Sequence, residues 1–196
     1  MKFLFDLGGV FFDWDPIYFY RDIFNNKNEL NFFLKNICNN NWNSKQDRGR
    51  FIKDAEIELI NKYPKYSKEI YMYYKNHRKM IKKVFSGTVA VLKKLKNKNF
   101  ECYVLSNWSS ETFNGMIDEY PFLNLFNGMV ISGDVNMIKP NKNIYNFAIK
   151  KFNLKPHETI FIDDRIENIK TAKNLGFKTI HFTTPSSLKI KIKSYL

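Results

Sequence analysis

The chain opens on a short apolar run, Met1-Lys2-Phe3-Leu4-Phe5-Asp6-Leu7, that ends at Gly8-Gly9. This is the pattern of a buried strand that turns sharply at its carboxyl end. Asp15-Pro16 then supplies a helix N-cap followed by proline at the first helical position. From there to about Ser86 the apolar residues recur at helical spacing: Leu30, Phe33, Leu34 and Ile37; Ile52, Ala55 and Leu59; Tyr66, Ile70, Tyr74, His77 and Ile81. No strand is expected in this stretch, which reads as a helical lobe inserted after the first strand.

Beyond Gly87 the texture changes. Helices are expected near Thr88 to Lys96, Glu111 to Glu119, Lys142 to Phe152 and Arg165 to Leu175, the last ended by Gly176. Strands are expected between them at Glu101 to Leu105, Met129 to Ser132, Thr159 to Ile162 and Lys178 to Phe182. The closing Pro185 to Leu196 fits either a helix or an alternating strand, and a helix after Thr184-Pro185 is preferred. Together these signals predict an α/β fold: a parallel, Rossmann-like sheet covered on both faces, with an inserted α-helical cap. The expected division is a core of residues 1–14 and 86–196 and a cap of residues 15–85. Ligands of such sheets bind outside the carboxyl ends of the strands.

A chain of 196 residues can bury one good core plus a small lobe. No apolar stretch approaches the roughly 18 residues of a spanning helix, and Met1 to Phe12 is broken by Asp6 and lacks a small-residue cleavage site. No membrane association and a cytoplasmic location are therefore expected. Two cysteines, Cys38 and Cys102, are too few for a disulfide framework or a structural zinc site. The net charge of +13 raises nucleic acid as a partner. The lysines are scattered, however, with no arginine-rich block or aromatic-basic platform, so a solvated surface is the preferred reading. Such a surface would also attract anionic substrates.

Four sets of polar residues fall at or after the carboxyl ends of different expected strands: Asp6; Ser106 and Asn107; Lys139; and Asp163 with Asp164. Singly, each has an ordinary explanation as a cap, turn former or loop residue. Converging on one crevice, they are the equipment for phosphoryl transfer. Carboxylates hold a hard cation, while lysine and hydroxyl groups bind phosphoryl oxygens.

The segments Phe5-Asp6-Leu7-Gly8-Gly9-Val10, Leu105-Ser106-Asn107-Trp108, Lys139-Pro140 and Phe161-Ile162-Asp163-Asp164-Arg165 with Asn168 resemble, in order and spacing, the four motifs of the haloacid dehalogenase superfamily. The helical insert resembles that superfamily's subclass I cap. Ser109-Ser110-Glu111-Thr112-Phe113 extends the likeness to a phosphatase subgroup that includes glucose-1-phosphatase-like enzymes. The resemblance implies a magnesium-dependent hydrolase of a small phosphorylated metabolite, such as a sugar phosphate. Asp6 would be the nucleophile that forms an aspartyl-phosphate. Asp6, Asp164 and the Gly8 carbonyl would ligate Mg²⁺, with Asp163 and Asn168 acting from behind. Ser106, Asn107 and Lys139 would hold the phosphoryl group, and Lys139 would also offset charge between Asp6 and substrate.

The likeness departs at Gly8, where the family's phosphatases usually carry a second aspartate as general acid and base. Departure of the leaving group must then be helped by water or by a cap group such as Asp47, or the substrate must carry a leaving group that departs unaided. The loop Gln46-Asp47-Arg48-Gly49-Arg50 resembles the subgroup's specificity loop, making Asp47 and Arg48 candidates for substrate binding; it reads equally well as a solvated turn. For Trp14, Trp42, Trp108 and His77, packing is the preferred role. One rival is a 2-haloacid dehalogenase, but that family carries Ser and Asn in place of the acidic pair and an aromatic residue in place of Gly8. A non-catalytic binding protein on the same fold would not need Asp6, Lys139 and both acids. A nucleic-acid-end phosphatase is supported by the basic charge alone.

Overall fold

The computed structural model describes residues 1–195. Strand β1 (Lys2–Phe5) is followed by β2 (Phe12–Trp14) and then by helices α1 (Ile17–Tyr20), α2 (Lys27–Phe32), α3 (Asn40–Asp47), α4 (Ile52–Lys62) and α5 (Ser67–Lys75). Next come β3 (Ile81–Val84), α6 (Ser86–Asn97), β4 (Glu101–Ser106), and the short helices α7 (Ser110–Phe113) and α8 (Met116–Glu119). The chain continues through β5 (Gly128–Ile131), α9 (Ser132–Val135), α10 (Lys142–Lys151), β6 (Thr159–Asp163), α11 (Ile166–Asn174), β7 (Lys178–His181) and α12 (Pro185–Ile192).

Strands β5-β4-β1-β6-β7 form one parallel sheet in that order. The chain builds outward from β1 through β4 to β5, then returns to the other side of β1 for β6 and β7. This reversal opens a crevice at the carboxyl end of β1, where α/β sheets bind ligands. Alternation along the central strand sends Phe3 and Phe5 to one face, with Val104, Ile162, Leu92 and Leu188, and sends Leu4 to the other, with Leu105, Phe161, Tyr145 and Ala172. Both faces are dry because α6 and α12 cover one and α10 and α11 the other. α12 starts where the sequence places it: Thr184 Oγ1 accepts from the Ser187 N–H at 3.1 Å.

The segment after β1 is mostly helical, and its core gathers Tyr20, Phe33, Trp42, Ala55, Ile70 and Tyr73. Asp15 Oδ1 accepts from the Ile17 N–H at 2.8 Å, so the expected helix start is capped. The expectation of no strand here is corrected. Phe12–Trp14 and Ile81–Val84 pair as an antiparallel ribbon, β2 with β3, at the two points where the lobe joins the sheet. Ile81 thus leaves the helical stripe, which ends in a 3₁₀ turn over His77–Met80. The helix expected over 111–119 is two short pieces, broken at Gly115. No helix among the described residues is long and apolar enough to cross a membrane. Cys38 and Cys102 are both buried free thiols.

Candidate active site

Asp6 follows directly from the end of β1, and its N–H still bonds the Ile162 carbonyl at 2.9 Å. Its carboxylate is aimed by two donors, because Oδ1 accepts from the Leu7 N–H at 2.7 Å and from Ser106 Oγ at 2.7 Å. The Lys139 ammonium, fully enclosed, lies 2.9 Å from Asp6 Oδ2 and 2.7 Å from Asp163 Oδ2. Asn107 is committed to Lys139: its Oδ1 accepts from the Lys139 N–H at 2.9 Å, and its Nδ2 donates to the Lys139 carbonyl at 3.0 Å. In this arrangement Ser106 orients the nucleophile candidate and Asn107 braces the lysine. Asp163 is saturated, accepting from Lys139, from the Arg165 N–H at 2.8 Å and from Asn168 Nδ2 at 2.9 and 3.0 Å.

The cluster carries more negative than positive charge. Asp6, Asp163 and Asp164 offer oxygens within 4.8 Å of one another. Against these three carboxylates stands the single ammonium of Lys139. Burial raises the pKa of Asp6; Lys139 and the Ser106 hydroxyl oppose that shift, while Asp163 and Asp164 add to it. Burial likewise raises Asp164, with Asp163 contributing. Burial alone would depress Lys139, but Asp163 and Asp6 raise it above its ordinary value, so it stays charged. Hard oxygen donors with two uncompensated negative charges match a small divalent cation. Asp164 lies against Gly9, whose φ of +70° and missing side chain make room for that carboxylate.

A small cavity of about 70 Å³ adjoins this cluster. Gly8 and Asn107 form its sheet side, and Asn43 and Asp47 reach it from the helical lobe. Trp14, His77 and Trp108 complete the wall, with the His77 ring 5.5 Å from Trp14 and 5.6 Å from Trp108. Burial lowers the His77 pKa to about 3, so its imidazole is neutral. Trp42 packs instead inside the lobe, 5.2 Å from Tyr73.

Asp47 is the last residue of α3, and its carbonyl accepts a hydrogen bond from Ser132 Oγ at the end of β5. Gly49, at φ +98°, presses the same loop onto the sheet side so closely that a Cβ there would meet the Gly133 carbonyl and the Asn136 side chain. Enclosure pushes the Asp47 pKa up to about 7, with the Ser109 N–H pulling the other way. Arg48 is exposed and faces a separate depression beside Asn136, Ile138 and Asn141. The structure thus brings Asp47, and not Arg48, to the cavity beside Gly8.

Two residues of the site escape sequence reasoning. Asn43 donates to Asp47 Oδ2 at 3.0 Å, and nothing but its spacing of one helical turn from Asp47 marks it. Ser132 both holds Asp47 and accepts from the Trp108 N–H at 2.9 Å. Its signal was available, as a hydroxyl at the carboxyl end of a parallel strand.

Comparison with known proteins bears on this geometry. The family model for haloacid dehalogenase-like hydrolases matches residues 4–182. Sesquiterpene phosphatase astK of Aspergillus oryzae is 26% identical over 184 residues, covering 92% of this chain and 88% of that protein. Among solved structures, a HAD-like family hydrolase from Porphyromonas gingivalis superposes with a TM-score of 0.77 at 20% identity, covering 99% of this chain and 96% of that one. A HAD family enzyme from Bacteroides thetaiotaomicron, solved with magnesium and inorganic phosphate, gives a TM-score of 0.72 at 24% identity, with 93% and 94% coverage.

Proposed function

Because the chain belongs to the haloacid dehalogenase-like hydrolase family, we propose that it is a magnesium-dependent phosphatase of a small phosphorylated metabolite, working through an aspartyl-phosphate on Asp6. Residues 1–14 and 86–196 act as the catalytic core in this reading, and residues 15–85 as the cap. The observation that carries it is the charge pattern: Asp6, Asp163 and Asp164 within 4.8 Å of one another around a single enclosed lysine. A haloacid dehalogenase works without metal and would leave that excess of negative charge unbalanced. A phosphatase relative and a structural neighbour solved with magnesium and inorganic phosphate point the same way.

Asp6 and Asp164, with the Gly8 carbonyl, would hold Mg²⁺. When bound, the ion supplies positive charge that lets a phosphate dianion approach two carboxylates. The protein's own residues do the rest. Leu7 N–H and Ser106 Oγ fix the rotation of the Asp6 carboxylate, so the nucleophile is oriented before substrate arrives. Lys139, braced by Asn107, brings a cation to the charge that develops on the transferring group. Asp163 and Asn168 hold Lys139 at its depth.

The test is phosphate release from a panel of phosphorylated metabolites and an aryl phosphate, with Mg²⁺ and with excess chelator. Mg²⁺-dependent release is expected. Release of halide from a 2-haloacid, with no phosphate from any ester, would replace this reading by the dehalogenase one.

A further inference from the structure

The cavity beside Gly8 contains an acid that the sheet side lacks. Its wall, Gly8, Asn107, Asn43, Asp47 and three aromatic rings, holds two titratable groups, Asp47 and His77. His77 is neutral there and cannot give up a proton readily. No cation pairs with the Asp47 carboxyl among the described residues; it is met instead by Asn43 Nδ2 and the Ser109 N–H. It also closes the carboxyl end of α3, where the helix dipole disfavours negative charge. A carboxyl in these surroundings keeps its proton close to neutral pH, as a group that must donate one does.

Its position is fixed from two sides. The main chain is tied to the sheet by Ser132 Oγ. The side chain is tied to the lobe by a chain of hydrogen bonds: Gln46 Nε2 donates to the Tyr74 hydroxyl at 2.9 Å, Tyr74 donates to Asn43 Oδ1 at 2.9 Å, and Asn43 donates to Asp47. Loops tolerate a charged end residue without such support; a carboxyl held this way is pre-positioned.

We propose that Asp47 is the general acid and base of the reaction, delivered from the helical lobe to the place that Gly8 leaves open. The proposal rests on the phosphatase reading above. In the first step a carboxylate oxygen of Asp6 bonds phosphorus and the bond from phosphorus to the leaving oxygen breaks. The leaving oxygen keeps the electron pair and takes the proton of Asp47, giving a free alcohol, a phosphorylated Asp6 and an Asp47 carboxylate. In the second step water bonds phosphorus, its proton passes to Asp47, and the bond to Asp6 breaks. Inorganic phosphate leaves, with Asp6 ionised and Asp47 protonated as at the start.

The experiment compares Asp47→Asn with the parent on two Mg²⁺-supported substrates, p-nitrophenyl phosphate, whose leaving group departs unaided, and glycerol 3-phosphate, whose alkoxide needs a proton. Loss of about 10² to 10⁴ in kcat on the alkyl ester is expected; on the aryl ester the initial burst of p-nitrophenolate, which reports the first step alone, should keep its rate while the steady state that follows slows with the second step. A second variant guards against a packing effect. A Cβ at Gly8 would meet nothing within 4 Å, and its φ lies outside the left-handed region, so Gly8→Asp fits. Adding Gly8→Asp to Asp47→Asn should restore alkyl hydrolysis, which a merely structural role of Asp47 would not allow. Unchanged alkyl hydrolysis in Asp47→Asn, or equal losses on both esters that Gly8→Asp does not rescue, overturns the assignment while leaving the phosphatase reading standing. A parent protein inactive on every phosphate ester overturns both.

Discussion

Asn107 and Lys139 are joined by two hydrogen bonds between the side chain of one and the backbone of the other, at 2.9 and 3.0 Å. The residue after β4 thereby sets the depth from which Lys139 reaches Asp6 and Asp163. Asn107→Ala removes both bonds and should cost about 1–3 kcal/mol of stability. A shift of the ammonium by an ångström should lower kcat by about 10²-fold. Thermal melts and steady-state rates on an aryl phosphate check the two effects; an unaltered rate would show that Lys139 holds its place without the brace.

Asp6→Asn should abolish phosphate release and leave the fold intact. The amide oxygen can still accept from the Leu7 N–H and Ser106 Oγ, while its Nδ2 meets the Lys139 ammonium donor to donor, so that Lys139 turns to Asp163, which it already reaches at 2.7 Å. Burial already raises the Asp6 pKa, so removing that charge relieves a cost as well as losing an ion pair. The melting temperature is expected to stay within about 4 °C of the parent. Turnover near the parent rate would exclude Asp6 as nucleophile.

Mg²⁺ should raise the melting temperature of the protein in the absence of substrate, since it binds the folded state and offsets the charge of Asp6, Asp163 and Asp164. Asp164→Asn should shrink that rise. Excess chelator should remove both the rise and the activity, and added Mg²⁺ should restore them. A melting temperature indifferent to Mg²⁺ in the parent would mean that Asp6 and Asp164 do not form the cation site.

Much of this was readable along the chain, because each main strand ends on a polar residue that interrupts an apolar run, as Phe5 gives way to Asp6 and Ile162 to Asp163. The parallel sheet then brings those ends to one edge. The ribbon of β2 with β3 was not readable. Phe12-Asp13-Trp14 and Ile81-Lys82-Lys83-Val84 are too short to show a period, and their pairing depends on residues far apart in sequence. Asn107 looks like a phosphate-loop residue, yet its amide is turned to Lys139, a partner known only once β4 and the loop before α10 are side by side. Arg48 and Asp47 are neighbours of equal promise in sequence. The end of α3 turns one to the cavity and the other to solvent.

The pH dependence of stability should carry the signature of Asp47. In the unfolded chain its carboxyl ionises near the ordinary value of about 3.9. In the fold, enclosure raises it to about 7. Between these values the folded state holds a proton that the unfolded state has released, so stability falls as pH rises through this window and levels off above it. His77 works in the opposite sense: it takes a proton at about 6.5 in the unfolded chain but only at about 3 in the fold, so its contribution rises with pH up to about 6.5 in parent and variant alike. Burial raises Tyr73 and Tyr74 well above their ordinary values. Asp6, Asp164 and Glu56 are also raised, but they remain in any variant at position 47. Urea denaturation of the metal-free protein at intervals from pH 5 to pH 8, beside Asp47→Asn, isolates the difference. The stability of the parent minus that of the variant should fall as pH rises across that range, by up to the slope of a single proton, and become constant at the alkaline end. Parallel curves throughout would place the Asp47 carboxyl in water, ionised at every pH examined.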